Sequence, residues 1–351
     1  MKKFVSLLLT LFLFSIHALG YGSRGHALVG AIADKRLEQN QTVAQKVSDL
    51  LGGLTLEQVA NLPDFIKSWD DCTFNKHPGK KAVTNKRRIN RELRAFLNAN
   101  PCSSQRFHRN FHFTDVPVMG NEKYADGHVG NVFGIGRDRF DIVQMITYCV
   151  RVLKGEIKAK NKRAITKAVA IVLLAHYLGD IHQPLHVGAQ FFTRKNGKGV
   201  PFEPSKGNKG FADQGGNKLT LLTLDGTKLG KNLHNFWDEL AVDEAFDGTS
   251  DADTAEQLAA QEPSDWQLSG DAETWAEQMA DDILPLAREA HDRLSFEKIN
   301  IVTTMREIQG GNAIEKNTSG DSYKSWAGGV VKQQIQKGGW RLAALLEAVL
   351  E

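Results

Sequence analysis

The chain has 351 residues, of which 24% are charged, with a formal net charge of +3 and no low-complexity tract. That composition excludes a disordered or fibrous protein and fits one large domain or two modest ones. The near-neutral balance also argues against a protein that grips long duplexes through many phosphate contacts.

The first twenty residues, "MKKFVSLLLTLFLFSIHALG", combine Lys2 and Lys3, an apolar run and a small-residue ending. They read as a secretory signal peptide cleaved after Gly20, which predicts a soluble, extracytoplasmic (secreted or periplasmic) protein starting at Tyr21. Next, "GHALVGAIADKRL" and "LTLEQVANLPDFIKSW" repeat apolar residues at helical spacing. Residues 76–94 are strongly basic, with Lys76, Lys80, Lys81, Lys86, Arg87, Arg88, Arg91 and Arg94 against Glu92 alone. Residues 137–154 and 164–181 predict two long helices, and residues 194–217, rich in Gly, Lys and Asn, predict a long loop. "NKLTLLTLDGTKL" alternates around Asp225-Gly226 and predicts one small β-hairpin. Further helices are expected at 232–245, 271–294, 296–308 and 323–350. Without repeats or a clear linker, the reading is one mainly α domain over 21–351.

Three cysteines are too few for a disulfide scaffold. A Cys72–Cys102 bridge would tie down the basic segment between them in an oxidising compartment, and Cys149, in a helical pattern, reads as a buried thiol. The pairing among the three stays open.

The chemistry gathers in "HYLGDIHQPLHVG", residues 176–188, which follows an apolar helical run. On a helix His176 and Asp180 lie four apart and only ~40° out of line, so both reach one metal ion. His182 projects from another side, and Pro184 stops the helix so that His186 can turn back. The pattern recurs. "NLHNFWDEL" sets His234 and Asp238 four apart, "RNFHFTDVP" supplies His112 and Asp115, "LPDFIKSW" places Asp64 in an apolar stretch, and "YGSRGH" offers His26. An unpaired buried carboxylate is costly, so these segments point to one polynuclear site. Nitrogen and oxygen ligands without cysteine suit catalytic zinc, with manganese or iron as physical alternatives.

With "HYLGDIHQPLHVG", "GGNKL", "NLHNFWDE" and the C-terminal "GWRLAALL" in this order, the sequence resembles the zinc-dependent, single-strand-specific nucleases and 3′-nucleotidases of the S-one/P-one type. The resemblance covers nearly all of 21–351 and implies a single, mainly helical domain of the zinc-dependent phospholipase C and single-strand nuclease type. Insertions are implied near 76–100 and 190–212. It implies three Zn2+: one on Asp64, His112, His176 and Asp180; one on the amine and carbonyl of Tyr21, with His26 and the shared Asp180; and one on His186, His234 and Asp238. His182 is not a ligand in this mapping. Tyr21 stands where the family usually has Trp, and its amine can bind only after the leader is removed. Lys67 stands where the family commonly has Arg, and with Asp64 and Asp180 it belongs to the implied catalytic set. Phe113 matches a base-stacking position, Asp115 a base-edge position, and Gly215, Gly216 and Asn217 a substrate-side loop. The implied activity is endonucleolytic cleavage of single-stranded DNA and RNA, and of 3′-nucleotides, leaving 5′-phosphates. The implied enzyme has no obligate protein partner and no membrane anchor after cleavage. The nearest alternative is a zinc-dependent phospholipase C. The short spacer before His26, the terminal Asp238 and the His112-Phe113-x-Asp115 motif favour the nuclease.

Overall fold

The computed structural model describes residues 21–69, 82–101, 107–124, 139–204, 210–303, 307–317 and 320–351. The predicted leader, Cys72 and Cys102 lie outside the described residues. Cys149 is a free, buried thiol, raised by burial far above its ordinary pKa.

Helix α1 (Gly22–Leu37) is followed by Asn40, whose side chain accepts from the Val43 N–H and caps α2 (Gln41–Leu51). The predicted run "LTLEQVANLPDFIKSW" is helical but broken into α3 (Leu56–Val59), α4 (Leu62–Phe65) and a 3₁₀ turn at Ile66–Trp69. Two local causes account for the break. Thr55 and Gln58 form a reciprocal capping box that starts α3. Pro63, which lacks an N–H, is accommodated only in the first turn of a new helix. From α1, the Asp34 carboxylate accepts the Leu56 and Glu57 N–H groups, each at 3.0 Å, and so fixes α3 against α1.

After α5 (Arg87–Ala99) and α6 (Ile142–Lys154) comes the central element, α7 (Lys167–Asp180), capped by the Thr166 side chain. Every residue of α7 from Ala168 to Asp180 is buried. Its Val169, Ile171, Val172, Leu173, Leu174 and Leu178 side chains contribute on the order of 10 kcal/mol of gross apolar burial, which offsets the cost of burying His176 and Asp180 on the same helix. As the sequence predicts, α7 does not continue through Pro184; the proline instead opens a short helix of its own, α8 (Pro184–Val187). A two-residue parallel pairing then joins β1 (Val116–Pro117) to β2 (Gly188–Ala189), so the chain beyond His112 lies against the chain beyond His186.

The predicted long loop at 194–217 is a correction. It contains a hairpin of β3 (Phe191–Lys195) and β4 (Lys198–Pro201), with β5 (Phe211–Ala212) added to β3. Asn196 and Gly197, with φ of 49° and 77°, form the tight turn that suits a twisted two-stranded ribbon. The predicted hairpin at Asp225-Gly226 is present as β6 (Thr220–Leu222) paired with β7 (Lys228–Leu229). Helices α9 (Leu233–Asn235) and α10 (Ala241–Ala245) flank a π turn at Phe236–Leu240, and α11 (Asp251–Ala260) and α12 (Trp275–Asp292) follow. The helix expected at 296–308 is a second correction. The segment enters β8 (Leu294–Val302), which pairs antiparallel with β9 (Glu307–Glu315) and completes the sheet order β7-β6-β9-β8. Ile299, Ile301 and Val302 are β-branched and favour the pleated surface.

The final helix, α13 (Tyr323–Leu350), packs on α1, α7 and α10. Gly339 permits the closest approach: a Cβ there would lie 2.5 Å from Ile32 Cβ. Among the described residues, no helix is long and apolar enough to cross a membrane.

Candidate metal centre

Asp180 ends α7 with its carboxylate buried among imidazoles. Oδ2 is 2.9 Å from His112 Nδ1 and 3.1 Å from His176 Nε2, and Oδ1 is 3.3 Å from His26 Nε2 and 3.6 Å from His186 Nδ1. The His26 ring stacks on His176 with centroids 3.8 Å apart. Three sets of side-chain atoms are close enough to hold a cation: His26, Asp64 and His176; His112, His176 and Asp180; and His186, His234 and Asp238. All of these residues are buried.

Hydrogen-bond accounting separates candidate ligands from structural histidines. His176 Nδ1 faces the Ala60 carbonyl at 2.7 Å, His186 Nδ1 the His112 carbonyl at 2.7 Å, and His234 Nδ1 the Gly215 carbonyl at 2.8 Å. A carbonyl only accepts, so each of these Nδ1 atoms carries a proton and Nε2 is the nitrogen left to face the carboxylates. His182 is different. Its Nδ1 donates to the Leu178 carbonyl at 2.6 Å, and its Nε2 accepts from Arg341 Nη1 at 3.0 Å. Both ring nitrogens are consumed, which leaves nothing for a metal.

Charge and unmet hydrogen bonding also fit a cation. Among the described residues, buried His26 Nδ1 and Nε2, Asp64 Oδ2, His186 Nε2 and Asp238 Oδ2 lack hydrogen-bond partners. Burial alone would raise the Asp180 carboxyl, but His176 and His186 outweigh it and hold the group well below the usual carboxylate range. Asp64 is likewise lowered, because Lys67, then His176 and His112, outweigh burial. Asp238 goes the other way: burial lifts it to about 8 despite His186 and a 2.9 Å bond from Gln183 Nε2. A cation among His186, His234 and Asp238 would supply the compensating charge.

Residues 21–351 match the S1/P1 nuclease family along their whole length. The chain belongs to that family. It is 28% identical over 184 residues to endonuclease 4 of Arabidopsis thaliana, covering 51% of this chain and 50% of that protein. It is 26% identical over 209 residues to endonuclease 5 of the same plant, covering 58% and 59%. The chain thus spans about half the length of the curated relatives it matches.

Within this S1/P1-family fold the remaining predicted residues take definite places. Tyr21 is buried beside Asp238: a Cβ on the adjacent Gly22 would lie 2.8 Å from the Asp238 carbonyl oxygen. The Tyr21 hydroxyl donates to the His182 carbonyl at 2.7 Å, and its own carbonyl accepts the Gly25 N–H at 3.0 Å. Lys67 Nζ lies 2.5 Å from Asp64 Oδ1. Phe113, next to His112, is 37% exposed, and the Asp115 carboxyl is pushed up to about 7 by burial and then by Asp213. The loop of Gly215, Gly216 and Asn217 positions a histidine. Gly215 and Gly216 adopt φ of 58° and 82°, Gly215 holds His234, and the Asn217 amide is bonded to Gln214 within the loop.

Several supports escaped sequence reading: Gln183 on Asp238, the Ala60 carbonyl on His176, and Asp213 bonded to His291 at 3.2 Å and to the Gln190 N–H beneath the glycine loop. A charged Arg341 within the apolar "GWRLAALL" was the one visible signal for the His182 partner. Gly179 is another support. A Cβ there would lie 2.5 Å from His26 Nδ1, so Gly179→Ala should push His26 out of the cluster. The expected result is one metal bound about 10–100-fold more weakly. The His186, His234 and Asp238 group should remain filled. Metal titration followed by mass spectrometry reads this, and three equally tight ions would contradict it.

Proposed function

We propose that the chain is a zinc-dependent phosphodiesterase that cleaves single-stranded DNA and RNA, and 3′-nucleotides, to products bearing 5′-phosphates. The observation that carries this reading is the division of the histidines: His176, His186 and His234 each spend Nδ1 on a backbone carbonyl and turn Nε2 toward a buried carboxylate, within a chain of the S1/P1 nuclease family. Three Zn2+ fit the donors. Asp64, His112, His176 and Asp180 would hold one, Tyr21, His26 and Asp180 a second, and His186, His234 and Asp238 the third. Tyr21 would contribute its amine and carbonyl, which requires a chain that begins at residue 21, where the family match also begins. That coincidence supports removal of residues 1–20 as a signal peptide and an extracytoplasmic location.

When bound, zinc supplies Lewis acidity toward phosphoryl oxygens and water. The protein groups supply position and charge. The carbonyls of Ala60, His112 and Gly215 hold the imidazoles in one tautomer. Lys67, still 21% exposed, offers its ammonium to the charge that builds on the phosphoryl oxygens, as a point charge rather than a bidentate fork. Phe113 offers a face on which an unstacked base lies, which favours single strands over duplex. Asp115 is available to the base edge.

The test uses purified protein beginning at Tyr21, offered single-stranded DNA, RNA, 3′-AMP and phosphatidylcholine. Hydrolysis of the first three is expected, at least about 100-fold slower in excess chelator and restored by Zn2+. Lipid hydrolysis without nucleotide hydrolysis would overturn the reading, and chelator-resistant activity would overturn the metal centre.

A further inference from the structure

Helix α5 carries Arg87, Arg88, Arg91 and Arg94 against Glu92 alone. Arg88, although exposed, is bonded to Glu92 at 3.2 Å and to the Leu50 carbonyl, and Glu92 also accepts the Thr166 hydroxyl at 2.5 Å. Arg87 and Arg91 are exposed and form no ion pair among the described residues. With Arg94 they fall at helical spacing on one face, about 6 Å apart along the axis for each four residues. This face borders an open cavity of about 510 Å³ lined by Ala82, Arg87, Arg91, Arg94, Ala95 and Asn98, with Asn90. The Asn90 amide is already spent on the turn at Val83, Thr84 and Lys86.

The cavity is physically linked to the metal centre. The Arg94 guanidinium lies 4.5 Å from the Trp69 ring, and Trp69 ends the 3₁₀ turn that carries Lys67. Lys67 reaches Asp64, and its carbonyl accepts from Arg109 Nη2 at 2.7 Å. Phe65, next to Asp64, is 44% exposed and offers an aromatic face to solvent. We propose that the Arg87–Arg91 face of α5 is a track for the sugar-phosphate backbone of a single-stranded nucleic acid whose scissile end lies at the metal centre.

The exposed guanidinium groups of Arg87 and Arg91, one helical turn apart, match successive phosphates, and small Ala82 and Ala95 leave room for the sugars. A lipid surface fits less well, because the large exposed apolar side chains among the described residues are Phe65, Phe113, Met119 and Leu224, none of them on α5. The track rests on the proposed strand-cleaving activity, yet its binding step can be read without cleavage.

The experiment compares the native protein with Arg87→Glu/Arg91→Glu and Arg87→Lys/Arg91→Lys. Each is titrated with a cleavage-resistant phosphorothioate oligothymidylate of about thirty nucleotides across a salt series, and each is assayed on 3′-AMP. The glutamate pair should bind the strand about tenfold more weakly at low salt and lose about 1.4 from the salt-dependence slope, about 0.7 per released phosphate contact. Its 3′-AMP hydrolysis should be unchanged, and the lysine pair should restore the slope. Unchanged strand affinity and slope in a glutamate pair that still hydrolyses 3′-AMP would overturn the track and leave the enzymatic reading standing. Strand binding that depends on the arginines in a protein that hydrolyses nothing would do the reverse. Tighter arginine-dependent retention of phosphatidylserine vesicles than of the strand would also overturn it.

Discussion

Asp180→Asn should abolish catalysis while leaving the chain folded. The expected fall in kcat/KM on single-stranded DNA is about a thousandfold or more, with metal content dropping from three ions toward one. Asparagine keeps the volume of the side chain and can still accept from His112, so the burial of α7 is preserved. What it loses is the one carboxylate that His26, His112, His176 and His186 all approach within 2.9–3.6 Å. That carboxylate stays ionised despite burial because His176 and His186 act on it. A neutral amide offers no charge to share between two cations. The third group does not include Asp180, so an ion among His186, His234 and Asp238 should persist. Elemental analysis beside steady-state kinetics checks this. Three retained ions with activity above about a tenth of native would sink the bridging role.

The candidate centre was legible because its chemistry violates local pattern: His or Asp stands where a helix calls for an apolar residue, as at His176, Asp180 and Asp64. Helices α1, α7 and α13 were legible for the complementary reason, their long apolar periodicity. The failures are equally physical. In β8 the pairing slips between Glu297 and Asn300, so Leu294 and Phe296 share a face with Ile299 and Ile301 across an extra residue. The bulge turns a period of two into a spacing of three that reads as helix. In the 190–201 segment, Gly and Lys content hid an Asn-Gly turn flanked by real strands. The groups that finish the site were hidden by distance along the chain. Arg341 lies 159 residues from His182, and the Ala60 carbonyl lies 116 residues from His176. Nothing in local periodicity pairs them.

His182→Ala should separate two histidines that look alike in sequence. The variant is expected to keep its full metal content and kcat/KM within about threefold of native, whereas His176→Ala loses metal and essentially all activity. The His182 variant should be less stable by roughly 2–3 kcal/mol, from a lost buried hydrogen bond and the space left by the ring. Arg341 is not stranded, because Asp282 at 2.8 Å and the Trp266 carbonyl at 2.8 Å remain. The pH dependence supplies an independent check. Burial, then the Arg341 charge, holds the folded His182 well below its ordinary pKa, so it stays neutral in the fold. The unfolded chain takes up that proton as pH falls through about 6.5, and the native protein loses the corresponding stability. His182→Gln has no such proton to take up. Its stability deficit should therefore narrow by about 1 kcal/mol between pH 7.5 and 5.5, with both proteins unfolded by urea in the same zinc-saturated buffer. A deficit that widens toward acid, or equal zinc loss in the His176 and His182 variants, would show that His182 belongs to the metal centre after all.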